Sequence, residues 1–83
     1  MAIKTYIDGA EGTTGLQLKQ RLLSHPEIQI ISADVSKRKD LNYKLDQFSN
    51  SDLIFLCLPD NEVSLITDKI NENFGNEKVI IDA

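Results

Sequence analysis

Apolar segments alternate with polar, helix-periodic ones along this 83-residue chain, and the alternation predicts its elements. Ile3 to Ile7 is a short apolar run that reads as a strand. Leu16, Leu18, Leu22 and Leu23 then recur at helical spacing, predicting a helix from about Thr14 to Ser24 with one broad apolar face. Pro26 ends it, because the residue before a proline is pushed out of the helical region. Ile28 to Ala33 reads as a second strand, followed by a polar loop from Asp34 to Lys39. Asp40 is a good N-cap for a helix in which Leu41, Leu45 and Phe48 fall at i, i+4 and i+7. Leu53 to Leu58 is apolar at every position, the pattern of a parallel strand covered on both faces. Pro59 closes it, and Asp60 is placed to cap a third helix carrying Val63, Ile66, Ile70 and Phe74, with Gly75 where a C′ glycine belongs. Val79 to Asp82 reads as the fourth strand.

The turn between the first strand and the first helix is Asp8-Gly9-Ala10-Glu11-Gly12-Thr13-Thr14-Gly15. Its G-x-x-G-x-x-G spacing is a variant of the dinucleotide-binding fingerprint. In that chemistry Gly9 permits a sharp reversal, Gly12 lets backbone approach a pyrophosphate, and Gly15 lets the helix pack close to the strands. Thr13 and Thr14 are candidate N-caps with hydroxyl donors. The competing reading is a tight turn with no ligand.

Strands and helices in strict alternation call for parallel pairing through right-handed crossovers. The expected architecture is α/β, a Rossmann-like parallel sheet of strand order 3-2-1-4 with helices on both faces. Residues 1–83 would then be the N-terminal part of an NAD(P)-binding domain. The alternative order is 2-1-3-4, as in flavodoxin-like sheets.

Composition narrows the function. The chain is 41% hydrophobic and 27% charged, as globular proteins are, and its net charge of −4 argues against nucleic-acid binding. Charge is uneven: residues 1–44 carry seven Lys/Arg against five Asp/Glu, and residues 45–83 carry two against eight. The basic half holds the glycine turn, as an anionic cofactor would favour. No apolar run approaches the roughly 18 residues of a membrane span, and no signal peptide is expected. A lone cysteine, Cys57, excludes an internal disulfide and fits a reducing, cytoplasmic setting. An apolar strand would raise its pKa, so it reads as packing and not as a nucleophile. His25 reads as a helix-end residue, and no metal-ligand spacing is present.

Two residue sets compete for the adenosine ribose. Asp34 stands 19 positions after Gly15, where an acid binds the 2′-hydroxyl of NAD. Ser36, Lys37 and Arg38 instead suit the 2′-phosphate of NADP, since a charge-assisted contact is roughly twice as strong as a neutral one. NADP is therefore the expected cofactor and NAD the lesser alternative. Leu58 and Pro59, after the third strand, are expected to wall the cofactor pocket.

Ile7-Asp8-Gly9, Gly12-Thr13-Thr14-Gly15-Leu16-Gln17-Leu18, Lys37-Arg38-Lys39-Asp40, Leu56-Cys57-Leu58-Pro59-Asp60 and Ile80-Ile81-Asp82-Ala83 occur in that order. Together they resemble the start of the N-acetyl-gamma-glutamyl-phosphate reductases of the shorter form, within the semialdehyde dehydrogenase type. The resemblance implies an enzyme of arginine biosynthesis that reduces an acyl phosphate to an aldehyde with NADPH through a cysteine thioester. It also implies a second domain that supplies the catalytic cysteine, a histidine and the contacts of a homo-oligomer. Nothing in residues 1–83 matches those catalytic motifs, so the segment alone is expected to be inactive. The expected partners are a small-molecule cofactor and substrate, with no nucleic acid and no membrane. Two other functions remain in view: an oxidoreductase that uses a downstream Tyr-x-x-x-Lys pair, and a nucleotide-sensing module without catalysis.

Overall fold

The computed structural model describes residues 2–10, 12–31, 34–37 and 39–82. Eight elements follow one another: β1 (Ile3–Asp8), α1 (Thr13–Leu23), β2 (Ile28–Ile30), a 3-10 turn (Val35–Lys37), α2 (Leu41–Ser49), β3 (Leu53–Leu56), α3 (Asp60–Phe74) and β4 (Val79–Asp82). The strands form one parallel sheet, and the α/β, Rossmann-like expectation holds. β2 and β3 are shorter than their apolar runs, and part of the expected second strand, Ser32 and Ala33, lies outside the described residues.

The strand order corrects the first expectation. It is β2-β1-β3-β4, the alternative, and not 3-2-1-4. The physical reason lies in β3. Leu53-Ile54-Phe55-Leu56 has no polar position, and its last three residues are buried. The order 3-2-1-4 would leave that strand at an edge with one face of its ladder unpaired. The observed order gives it two neighbours, with Tyr6 opposite Ile54 and Ile54 opposite Ile80. β2, which is only three residues long and carries the exposed Gln29, takes the edge instead.

Right-handed crossovers in this order require α1 on one face and α2 with α3 on the other. α1 accordingly packs on β1 and β2, while α2 and α3 meet each other. Side chains alternate across a strand, so Tyr6, Ile54 and Leu56 share the second face. They form the main core with Phe48 of α2 and Ile66 and Ile70 of α3, and the Tyr6 and Phe48 rings meet edge to face at 5.5 Å. Ile7 and Phe55 are buried towards the first face. α1 covers that face less fully than its pattern predicts: Leu18 and Leu22 are half-buried, but Leu16 and Leu23 are 49% and 65% exposed.

Helix ends agree with the sequence at Asp40 and Gly75 and differ at the starts of α1 and α3. The Asp40 carboxylate accepts from the Asn42 and Tyr43 amides at the start of α2. Gly75 ends α3 at φ +60°, where a Cβ would be strained. Asp60, however, is the first residue of α3 and not its cap; Pro59 holds that position and no side chain caps the helix. Losing the Asp40 cap should cost about 1 kcal/mol. Asp40→Ala is therefore expected to lower the urea midpoint with an unchanged slope, and an unshifted midpoint would show that the two bonds contribute nothing. No helix among the described residues is long and apolar enough to cross a membrane.

Candidate functional site

The strand order sets where a site can form. Open α/β sheets bind ligands at the carboxyl ends of their strands, where the chain leaves in opposite directions from neighbouring strands. Here that reversal lies between β1 and β3. The glycine turn after β1 therefore lies against the Cys57-Leu58-Pro59 segment after β3, with the Cys57 amide donating to the Asp8 carbonyl at 2.9 Å.

The three glycines do different work. Gly9 has φ +86°, and a Cβ there would run into the Cys57 carbonyl oxygen. A Cβ on Gly15 would run into the Gly9 carbonyl oxygen and stand 2.7 Å from the Ala10 Cα. Both glycines are required by packing alone. Gly12 has room: a Cβ would meet only the Gly9 oxygen, at 3.5 Å, an ordinary contact. Its amide donates to the Gly9 carbonyl at 3.1 Å, and its carbonyl accepts from the Leu16 amide at 2.8 Å.

Gly12 is also the N-cap of α1, which corrects the expectation for the threonines. Thr13 and Thr14 are the first two helical residues, both exposed, and no side chain caps the helix. The first-turn amides of a helix lack intrahelical partners and attract anions. At α2 the Asp40 carboxylate fills that role, and the first turn of α3 carries Asp60 and Glu62. α1 alone among the three helices has neither a capping side chain nor an acid in its first turn.

A hollow of about 240 Å³ opens beside this terminus. It brings together four expected site residues, Gly9, Gly12, Leu58 and Pro59. A second hollow, of about 250 Å³, adjoins it between α2 and α3 and shares Lys39, Lys44 and Glu62 with it. Asp34, Ser36 and Lys37 line neither, and Arg38 lies outside the described residues. The Asp34 carboxylate accepts from the Ser36 amide at 3.0 Å and from the Ser36 hydroxyl at 2.7 Å. Those bonds, the hydroxyl first, hold its pKa below the ordinary carboxylate value, with a smaller contribution from Lys37. Asp34 thus caps its own 3-10 turn, and its amide donates to the Tyr43 hydroxyl at 2.7 Å. The Lys37 ammonium lies 6.0 Å from the centre of the Tyr43 ring.

Sequence reasoning missed Asp8 and Lys44, which face each other in the first hollow with Lys44 Nζ 3.1 Å from Asp8 Oδ2. Asp8 is 3% exposed and Lys44 8%. The signal was present in α2: Lys44 falls three residues after Leu41 and four before Phe48, on the apolar stripe. A lysine at such a position is either misplaced or paired, and here it is paired.

Cys57 is half-buried and lines the same hollow. Burial pushes its thiol above the ordinary value, and the Asp8 and Asp82 carboxylates push it further. At neutral pH it is a thiol, not a thiolate. Its alkylation by iodoacetamide is expected to accelerate at a higher pH than that of an ordinary exposed cysteine; acceleration near neutral pH would reveal an activated nucleophile. Among the described residues no three His, Cys, Asp or Glu side chains are grouped to hold a metal ion.

The fold and the glycine turn define a parallel α/β unit of the Rossmann-like type, with its cleft at the β1–β3 reversal. By sequence the chain is homologous to N-acetyl-gamma-glutamyl-phosphate reductases. It is 32% identical over 80 residues to that protein of Rhizobium etli (strain CIAT 652), covering 96% of this chain and 26% of the relative. It is 41% identical over 70 residues to that of Chelativorans sp. (strain BNC1), covering 80% and 23%. N-acetyl-gamma-glutamyl-phosphate reductase 2 of Nostoc sp. (strain PCC 7120) is 37% identical over 70 residues, covering 84% and 22%. The chain thus spans about a quarter of the length of these curated relatives. No family profile matches the chain, and no solved structure does.

Proposed function

We propose that this chain is the nicotinamide-dinucleotide-binding part of an N-acetyl-gamma-glutamyl-phosphate reductase, with NADP as its cofactor. The observation that carries the cofactor reading is the start of α1. It is the one helix N-terminus of the three with no capping side chain and no first-turn acid, and it opens on a glycine with room beside it. A pyrophosphate placed there would accept from first-turn amides and meet the positive end of the helix dipole. The names of the relatives support the reductase, an enzyme of arginine biosynthesis that turns an acyl phosphate into an aldehyde. Leu58 and Pro59 would wall the adenine or the nicotinamide side of the cleft. The segment itself is proposed to bind cofactor without turnover, because burial and, less strongly, the Asp8 and Asp82 carboxylates keep its thiol protonated. A cytoplasmic enzyme acting as a homo-oligomer completes the proposal.

NADP preference rests on Lys37 and Arg38, with Asp34 already committed to Ser36. Loss of one charge-assisted contact is worth about 1.5–3 kcal/mol, or roughly tenfold or more in affinity. The double variant Lys37→Ala/Arg38→Ala is expected to bind NADP at least about tenfold more weakly and NAD almost unchanged in calorimetry. Equal loss of both cofactors, or a wild type that binds both equally, would move the ribose contact to Asp34.

A further inference from the structure

The pair formed by Asp8 and Lys44 is buried, unlike the other ion pair seen among the described residues, Lys69 with Glu72, which is a one-turn surface contact. Asp8 instead ends β1, immediately before Gly9, and is almost fully buried beneath the turn. Its neighbour Lys44 reaches it from α2, across the groove. Such pairs are poor sources of stability, since apolar residues of the same size commonly do as well or better. An acid here also works against an anion-binding turn: it places a negative charge in the lining of the hollow that Gly9 and Gly12 share.

We propose that Lys44 is a positioning residue for dinucleotide binding. It draws the Asp8 carboxylate towards α2 and adds one unit of positive charge beside it, so that the floor of the groove does not repel a pyrophosphate. The inference rests on the dinucleotide reading given above. Lys44 acts through Asp8, not by touching the phosphates, because its ammonium is already 3.1 Å from the carboxylate and its side chain is 10% exposed. Among the described residues, Lys39, exposed and lining both hollows, is a cation of this groove with a path to solvent-side phosphate oxygens. The two lysines therefore have different roles: Lys39 faces the ligand and Lys44 faces the acid below it.

The test is calorimetric titration of NADP into the wild-type chain, Lys44→Met, Lys44→Arg, Asp8→Asn and the double variant Asp8→Asn/Lys44→Met, at several salt concentrations. Melting curves are recorded for each. Lys44→Met is expected to bind NADP about tenfold more weakly, with a flatter dependence of affinity on salt, because the site has lost a positive charge. Lys44→Arg should stay within about threefold of wild type, and the double variant should recover to the same range. Asp8→Asn alone should bind as tightly as wild type or tighter, with a steeper salt dependence, and it keeps the proposal testable if Lys44→Met does not fold. Weakened binding in Asp8→Asn would overturn the proposal. So would a double variant as weak as Lys44→Met, which would mean that Lys44 contacts phosphate directly. An unchanged salt dependence in the single variants would leave Lys44 a structural residue only and would equally reject it. A wild type that binds neither NADP nor NAD would instead remove the dinucleotide reading itself, a result distinct from all of these.

Discussion

Gly15→Ala is expected to remove a large fraction of the molecule's stability, although it adds one methyl group to a helix and alanine favours helices. The methyl would run into the Gly9 carbonyl oxygen and lie 2.7 Å from Ala10 Cα, both of them backbone. Backbone cannot swing aside as a flexible side chain would. The turn would have to move away from α1, and the Gly9 carbonyl that receives the Gly12 amide would move with it. Overpacking of this kind costs about 1–3 kcal/mol and more where the obstacle is rigid. A chain of this length has about 4–12 kcal/mol in all. Gly9→Ala adds positive-φ strain, about 1–2 kcal/mol, to a clash with the Cys57 carbonyl. Both variants are expected to melt about 5–20 °C below wild type, following the usual scaling for small domains. A melting point within 2 °C of wild type would mean that the turn relaxes freely and that these glycines are not needed by the fold.

Gly12→Val is the complementary experiment, and its expected result is loss of binding without loss of fold. Gly12 has ordinary backbone angles, φ −79° and ψ 169°, which valine adopts readily. A Cβ there would make no contact closer than 3.5 Å, so the melting point should hold within a few degrees. The two added methyls would occupy the space above the first-turn amides of α1, the space proposed for the pyrophosphate. NADP affinity should fall at least a hundredfold, about 2.7 kcal/mol. Retained affinity in a folded Gly12→Val would show that phosphate does not lie over α1, and the fingerprint reading would go with it.

The comparison between these glycines shows what a sequence can carry. Their spacing announced a strand-to-helix turn, and the turn is there. The fingerprint also assigns Gly9 and Gly15 to the reversal and to close packing and leaves Gly12 for a ligand, and the clearances at the three positions agree with that division; what local spacing does not name is the obstacle at Gly9, the Cys57 carbonyl, 48 positions away. The elements themselves were legible because their apolar periods are clean, and Asp40 and Gly75 were legible because capping is local. Strand order was not, because alternation fixes the handedness of each crossover and not the side of β1 to which it runs. The information lay in the composition of β3: four apolar residues in a row need neighbours on both edges. Lys44 was hidden for a related reason. The pattern marked its position as apolar, and only the adjacency of β1 and α2 explains a charge there.

The central position of β3 has a kinetic consequence. Its register partner in β1 is far off along the chain, with Thr5 opposite Leu53, so the middle of the sheet closes a loop of 48 residues. Loop closure of that length is paid before the contacts that reward it, which slows folding relative to chains with local pairing. The cluster around Tyr6 and Ile54 also draws on Ile66 and Ile70, late in the sequence. During synthesis, β1, α1 and β2 therefore emerge from the ribosome well before the strand and helix that cover them. Until α3 has emerged, the nascent chain presents Tyr6 and Phe48 to solvent, and that interval is when it depends most on protection from other nascent chains.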